Sequence, residues 1–259
     1  MNTDYDIWTT ATIAITVVLI FQGLITNCYG FFSSKKITEK NELPTRDVKL
    51  HLKRKIQHFG SGLVFLAVDM SNIMTPLQSA VVLFACAGLF LLFVTVVPRE
   101  QFIAIFKDIL RKEEASGQVY PATLWFLLGC GGMLILFPNY RDVYRIALLH
   151  LAAGDPAAGV IGGLYGKTKV RLVNKKTIEG CFGCFLACSM VTYVYLMFTN
   201  NQIVMEVWST LLLFCTMSGL VGMISELIPT PMDDNFSLPI FSSTGMYILN
   251  EYWYQFNIN

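Results

Sequence analysis

The sequence predicts an all-α protein, a polytopic transmembrane helical bundle of about seven to eight spans. Three observations predict it. Of the 259 residues, 54% are hydrophobic and only 14% charged, against about 25% charged in soluble domains. The apolar residues come in runs of the length that crosses a bilayer, about 20 residues. All 19 Lys and Arg fall in four segments between those runs.

The runs are residues 7–32, 59–74, 77–97, 121–137, 146–165, 180–198 and 203–228, with 236–252 a weaker eighth. In lipid they must be helices, because an open strand leaves its backbone polar groups unsatisfied there. The second run is short, and Thr75-Pro76 ends it with a turn. The first is too long for the apolar part of a cleaved leader, and Asp4 and Asp6 stand where a leader would be basic. Residues 1–58 read as one spanning helix with a basic loop, and residues 59–259 as the membrane core.

Alternating the spans across the bilayer puts residues 33–58, 98–120 and 166–179 on one side, with 17 of the 19 Lys and Arg. The positive-inside rule makes that side the cytoplasm and leaves the N-terminus lumenal. Arg141 and Arg145 lie on the other side. The acidic segment Pro231-Met232-Asp233-Asp234-Asn235 falls on the basic side, so the polar chemistry gathers at one face. A net charge of +1 gives no field for nucleic acid. The seven cysteines sit in or beside apolar runs, unlike a secreted disulfide framework. Cys181, Cys184 and Cys188 share a helical face as small packing residues.

Four segments carry chemical potential. In Gly154-Asp155-Pro156-Ala157-Ala158, small residues recur at 154, 158, 162 and 166, a spacing that lets helices approach closely. That packing role explains Gly162 and Gly166 but not Asp155, a carboxylate in an apolar run, which marks a functional site. Pro156 loosens the helix beside it. Gly162 to Gly166-Lys167 falls one residue short of a P-loop and follows a helix rather than a strand. Lys167 remains a phosphate candidate as a point charge.

In Asn174-Lys175-Lys176-Thr177-Ile178-Glu179-Gly180, Thr177 reads as an N-cap and Glu179 as a first-turn acid. A helix N-terminus beside Lys175 and Lys176 also suits an anion, and spacing leaves the two readings even. Arg54 and His58, at i and i+4 around Lys55, share a face that suits a phosphate clamp. They also read simply as charge flanking a membrane. Asp233, Asp234 and Asn235 read as a helix cap or as hard-oxygen ligands for Mg2+, with Glu226 a further acid nearby. Gly117-Gln118-Val119-Tyr120 reads as a turn. Phosphoryl transfer uses cations to neutralise phosphate and carboxylates to hold a metal or take a proton. A transporter would instead line a path through the bilayer, and no internal repeat is visible.

In this order the segments resemble the CTP-dependent lipid kinases: yeast-type diacylglycerol, dolichol and phytol or farnesol kinases. The resemblance runs from about Arg54 to Pro239. Its carriers are Arg54-Lys55-x-x-His58, Gly154-Asp155-x-Ala157-Ala158 with Gly162 and Gly166-Lys167, Lys176-Thr177-x-Glu179-Gly180, and Glu226 with Asp233-Asp234-Asn235. Gly162-Gly163 departs from the family, which commonly has a basic residue there. The related phosphatidate cytidylyltransferases end in a histidine-bearing signature, and no His follows His150.

The resemblance implies transfer of the γ-phosphate of CTP to a membrane lipid hydroxyl, with diacylglycerol first and polyprenol or phytol as alternatives. It implies Mg2+ or another divalent cation, and an endoplasmic-reticulum membrane with the site facing the cytoplasm. Asp155, Glu179, Glu226 and Asp234 are then the acids of the chemistry. Arg54, Lys55, His58, Gly162, Gly166, Lys167, Lys175 and Lys176 hold the nucleotide, and Asp155, Asp233, Asp234 and Asn235 hold the metal.

Overall fold

A computed structural model describes residues 46–106, 110–170, 173–199 and 208–258. The expected span at 7–32 lies outside the described residues. In chain order the elements are α1 (Arg46–Met70), α2 (Pro76–Val96), α3 (Arg99–Phe106), α4 (Lys112–Ser116), α5 (Ala122–Leu136) and α6 (Arg141–Leu149). A π-turn (His150–Gly154) follows, then α7 (Asp155–Tyr165), a hairpin of β1 (Lys169–Val170) and β2 (Val173–Thr177), α8 (Ile178–Thr199), α9 (Trp208–Leu227) and α10 (Asp234–Ile258).

Among the described residues four helical stretches are long and apolar enough to cross a membrane: α2, α6 through α7 (Arg141–Tyr165), α8 and α9. The regular structure of the described residues is helical apart from one two-stranded antiparallel hairpin, as in a transmembrane helical bundle. Three expected spans differ in detail. α1 starts by Arg46, so the basic stretch before His58 is helical rather than loop. α5 has 15 residues, a length of about 22 Å at 1.5 Å per residue, short of the roughly 30 Å hydrocarbon core. α10 extends the weak eighth run to 25 residues and carries Pro239 inside it.

The turn at Thr75-Pro76 forms as expected. Thr75 Oγ1 accepts from the Gln78 N–H at 3.3 Å and Gln78 Oε1 accepts from the Thr75 N–H at 2.8 Å. This reciprocal pair satisfies two amides at the start of α2. Asn72 turns the chain with φ 55°, a conformation its short polar side chain tolerates.

The stretch α6 to the π-turn is the centre of the bundle. Residues 143–152 are all buried, as befits a helix that is enclosed on every side. One face packs Val143, Ile146 and Leu149 with Tyr195, Leu196, Leu211 and Phe214. The other packs Tyr144, Ala147, Leu148 and Leu151 with Cys130, Met133, Leu134 and Leu238. Outward faces stay apolar: Leu77, Val81, Leu89, Leu92 and Val96 of α2 and Phe198 of α8 are exposed. Such a belt is stable in lipid, where it forfeits no hydrophobic stabilisation.

His150 opens the π-turn, fully buried. Its Nδ1 is 2.8 Å from Ser242 Oγ, and its Nε2 is 3.2 Å from Thr192 Oγ1 and 3.1 Å from Ser218 Oγ. The imidazole thus ties the central helix to α8, α9 and α10, with both ring nitrogens satisfied. The expected packing role of the cysteines holds for Cys184 and Cys188, both fully buried against Gly154 and Gly222.

Candidate active site at one end of the bundle

The π-turn runs directly into Asp155-Pro156. Pro156 has no N–H to give the Ala152 carbonyl, so the i to i−4 ladder is interrupted at the acid. Single-turn π-bulges in α-helices commonly stand at functional sites. α1 reaches this point because Gly62 has no side chain: a Cβ there would lie 2.4 Å from Ala152 Cβ.

The close approach brings two of the predicted residues onto Asp155. Lys55 Nζ donates to both carboxylate oxygens at 2.7 Å and to the Asp155 carbonyl at 3.3 Å. His58 Nδ1 lies 3.2 Å from Oδ2. A carboxylate only accepts, so Nδ1 carries a proton; the ring's other nitrogen, Nε2, is an acceptor whenever the ring holds that one proton. That Nε2 is buried and has no hydrogen-bond partner. Phe126 fixes the ring edge-on, 5.5 Å between centroids. Charge-assisted contacts of this kind make a buried Asp155 tolerable.

A second group forms around Lys176. Its ammonium lies 3.3 Å from Glu226 Oε1 and 3.4 Å from Asp234 Oδ2, and it donates to the Glu226 carbonyl. Burial opposes the charge on Lys176, but the two carboxylates outweigh it and raise its pKa. Glu226 Oε2 is buried and has no hydrogen-bond partner. Asp155 lies within electrostatic reach of Glu226 and Asp234, which joins the two groups into one site.

A third group was not legible in the sequence. Arg111 Nη1 donates to Asp233 Oδ2 at 2.8 Å. Glu114, 3% exposed, accepts from the Arg111 N–H at 2.7 Å and the Ala122 N–H at 2.8 Å. It thereby fixes the link from α4 to α5. Arg54 has its pKa lowered by burial and then by the Arg111 charge. Arg-x-x-Glu in a segment already rich in charge gives no signal that would single out Arg111 or Glu114.

The other predicted residues take plainer positions. Thr177 caps α8, accepting from the Gly180 N–H at 3.1 Å. Glu179 stands at the edge, where its carboxylate accepts from the Thr168 N–H at 3.3 Å and closes the hairpin. Gly162 and Gly166 let Thr177 pack on α7; a Cβ at either would lie 2.8 Å from Thr177 Oγ1. Lys167 is exposed beyond the end of α7. Lys175 lies in β2, with its side chain outside the described set. Asp233 accepts from the Asn235 N–H at 3.0 Å and caps α10, as the capping alternative expects. Asn235 is buried, its carbonyl packed toward Gly129.

The expected metal set is therefore divided: Asp155 faces Lys55 and His58, Asp233 faces Arg111, and Asp234 with Glu226 faces Lys176. Among the described residues no three carboxylate, imidazole or thiol groups gather closely enough to hold a metal ion by themselves. Mg2+ typically takes one or two carboxylates and completes its shell with water and substrate phosphates. Asp234, 43% exposed on its side chain, and Glu226 with its unpartnered oxygen fit that arrangement.

Known proteins share this chain's segments over most of its length. It is 27% identical over 225 residues to the CTP-dependent diacylglycerol kinase 1 of Eremothecium gossypii, covering 78% of this chain and 68% of the relative. The chain is thus similar to lipid-alcohol kinases over most of its length. It is also 22% identical over 223 residues to the chloroplastic phytol kinase 1 of Arabidopsis thaliana, covering 83% and 70%. A probable chloroplastic phytol kinase of Zea mays is 20% identical over 210 residues, covering 79% and 68%. No family model and no solved structure matches the chain.

Proposed function

We propose that this protein transfers the γ-phosphate of CTP to the hydroxyl of diacylglycerol, giving phosphatidate and CDP, in the endoplasmic-reticulum membrane with its site toward the cytoplasm. The observation that carries the reading is the cluster of facing acids and cations around Asp155 at one end of an apolar bundle. A lipid can enter there sideways with its headgroup at the surface, while the nucleotide arrives from water. CTP and diacylglycerol come from the fungal relative's description.

In this reading the lipid hydroxyl oxygen bonds to the γ-phosphorus as the bond from that phosphorus to the bridging oxygen breaks. CDP leaves with the bridging oxygen. Asp155 holds His58 in one tautomer and anchors Lys55; His58 Nε2 accepts the hydroxyl proton. Lys176 and Arg54 neutralise phosphate oxygens. Glu226 and Asp234 hold a divalent cation brought with the nucleotide. That cation, when bound, screens the charge of the phosphate chain. Preorganised charge is the main lever in phosphoryl transfer, because the protein has little covalent chemistry to perform.

The test is transfer from γ-labelled CTP or ATP by purified protein in mixed micelles with Mg2+, offering diacylglycerol, dolichol and phytol in parallel. Label from CTP in diacylglycerol is the expected result. Label in phytol alone would replace the acceptor, in keeping with the plant relatives. Label from cytidine in the lipid would mean a cytidylyltransferase, and no label in any lipid would sink the kinase reading.

A further inference from the structure

Arg111 stands apart from the four segments that carry the resemblance, yet the fold sets it against them. It lies next to α4, 122 residues from its partner Asp233. Its side chain is 33% exposed, so the guanidinium is neither sealed in the core nor free in solvent. Only part of its donor capacity is used: Nη1 is taken by Asp233, while Nε is buried without a hydrogen-bond partner and lies 3.9 Å from Glu114 Oε1. A planar guanidinium with five N–H donors is built to bind oxyanions two-pronged.

Its neighbourhood sharpens this. Its partner Asp233 is followed directly by Asp234, whose Oδ2 lies 3.4 Å from Lys176 Nζ, so Arg111 stands at the edge of the group around Lys176. Asp233 holds Arg111 through Oδ2 alone, because its Oδ1 is committed to capping α10 through the Asn235 N–H. The backbone under Arg111 is fixed: Glu114, almost wholly buried, accepts from the Arg111 and Ala122 amides. The backbone anchor is fixed, and the side chain it carries is still one-third exposed and open to a ligand from that side.

We propose that Arg111 is a phosphate contact of the candidate site, in which Asp233 holds it in the free protein and yields it to the incoming phosphate. This rests on the proposed kinase reading for the identity of the anion. Two species in that reaction carry phosphate, the nucleotide donor and the phosphorylated lipid, and the site suits either.

The experiment uses full-length protein in detergent micelles and two variants that act in opposite directions. Affinity for inorganic tripolyphosphate is measured first, with chelator present and no lipid. Arg111→Gln is expected to weaken it about ten-fold, the loss of one charge-assisted contact. Asp233→Asn keeps a capping side chain but frees Arg111, and is expected to tighten it a few-fold. A misfolded variant cannot produce that tightening.

Steady-state assays then separate the sources. A raised KM for CTP in Arg111→Gln, with the lipid KM unchanged, assigns the site to the donor. An unchanged KM for CTP with weakened inhibition by phosphatidate assigns it to the product. Wild-type protein that transfers phosphate while both variants match it in every affinity overturns the site and leaves the kinase reading standing. Variants that shift tripolyphosphate affinity in a wild type that transfers nothing keep the site and remove the kinase reading.

Discussion

The two ends of the bundle are both charged, and they are charged differently. Away from the candidate site, Arg145 Nε donates to Asp69 Oδ2 at 2.5 Å, Arg145 Nη2 donates to the Asp69 carbonyl at 3.2 Å, and the Tyr144 hydroxyl donates to Asp69 at 3.0 Å. Arg141 reaches Asn72, and the Tyr195 hydroxyl donates to Asp142 at 2.5 Å. At this end the polar groups of Asp69 and Arg145 close on one another. At the other end three buried atoms, His58 Nε2, Arg111 Nε and Glu226 Oε2, have no hydrogen-bond partner among the described residues. An unmade hydrogen bond in a buried place costs about 1–3 kcal/mol, and a protein keeps such groups where something else will pair them. A closed cluster fastens helices; an open one awaits a ligand. The ends are well separated: Lys55 and Asp69 lie on the same helix, about 21 Å apart at 1.5 Å per residue.

Four variants break or sharpen the contrast. Asp155→Asn strikes the open end and is expected to lower phosphate transfer about 10³-fold or more, while the protein still inserts and purifies; full activity would refute its assignment. Asp69→Asn strikes the closed end and leaves Arg145 without its charge partner. The expected loss is about 3–5 kcal/mol of stability, with kcat per folded molecule within about two-fold of wild type. Thermal unfolding in detergent beside the transfer assay checks both halves, and lost kcat at unchanged stability would show that the ends are not separate. Lys176→Gln should raise the KM for nucleotide about ten-fold, the value of one charge-assisted phosphate contact. An unchanged KM there takes Lys176 out of the nucleotide site. The smallest effect belongs to Thr177→Ala, which removes the cap of α8 and should cost about 1 kcal/mol of stability; a collapse in kcat would give Thr177 more than a capping role.

Much of the site is visible in the sequence because it depends on local rules. A carboxylate in an apolar run is conspicuous wherever the helix ends up, and so Asp155 stands out. Thr177 and Asp233 are caps because a helix start needs acceptors for its free amides, whatever lies beyond. The glycines at 162 and 166 follow from helix spacing alone. The helix starts are less legible: α1 carries its basic stretch inside the helix, where hydropathy finds no span.

The pairings belong to tertiary structure. Lys55 meets Asp155 across 100 residues and Arg111 meets Asp233 across 122, and no periodicity encodes partners at such separations. Arg145 reads in the sequence as a loop charge; only the fold shows it buried against Asp69. His58 reads as one more phosphate-side cation until the close approach at Gly62 sets it on Asp155 and fixes its tautomer. The sequence by itself determined which residues could not be comfortable in lipid, because that follows from each side chain's own chemistry. Which of them pair, and which atoms stay unpaired, only the packing of the helices decided, since hydrogen bonds act over a few ångströms and depend on where distant segments come to rest.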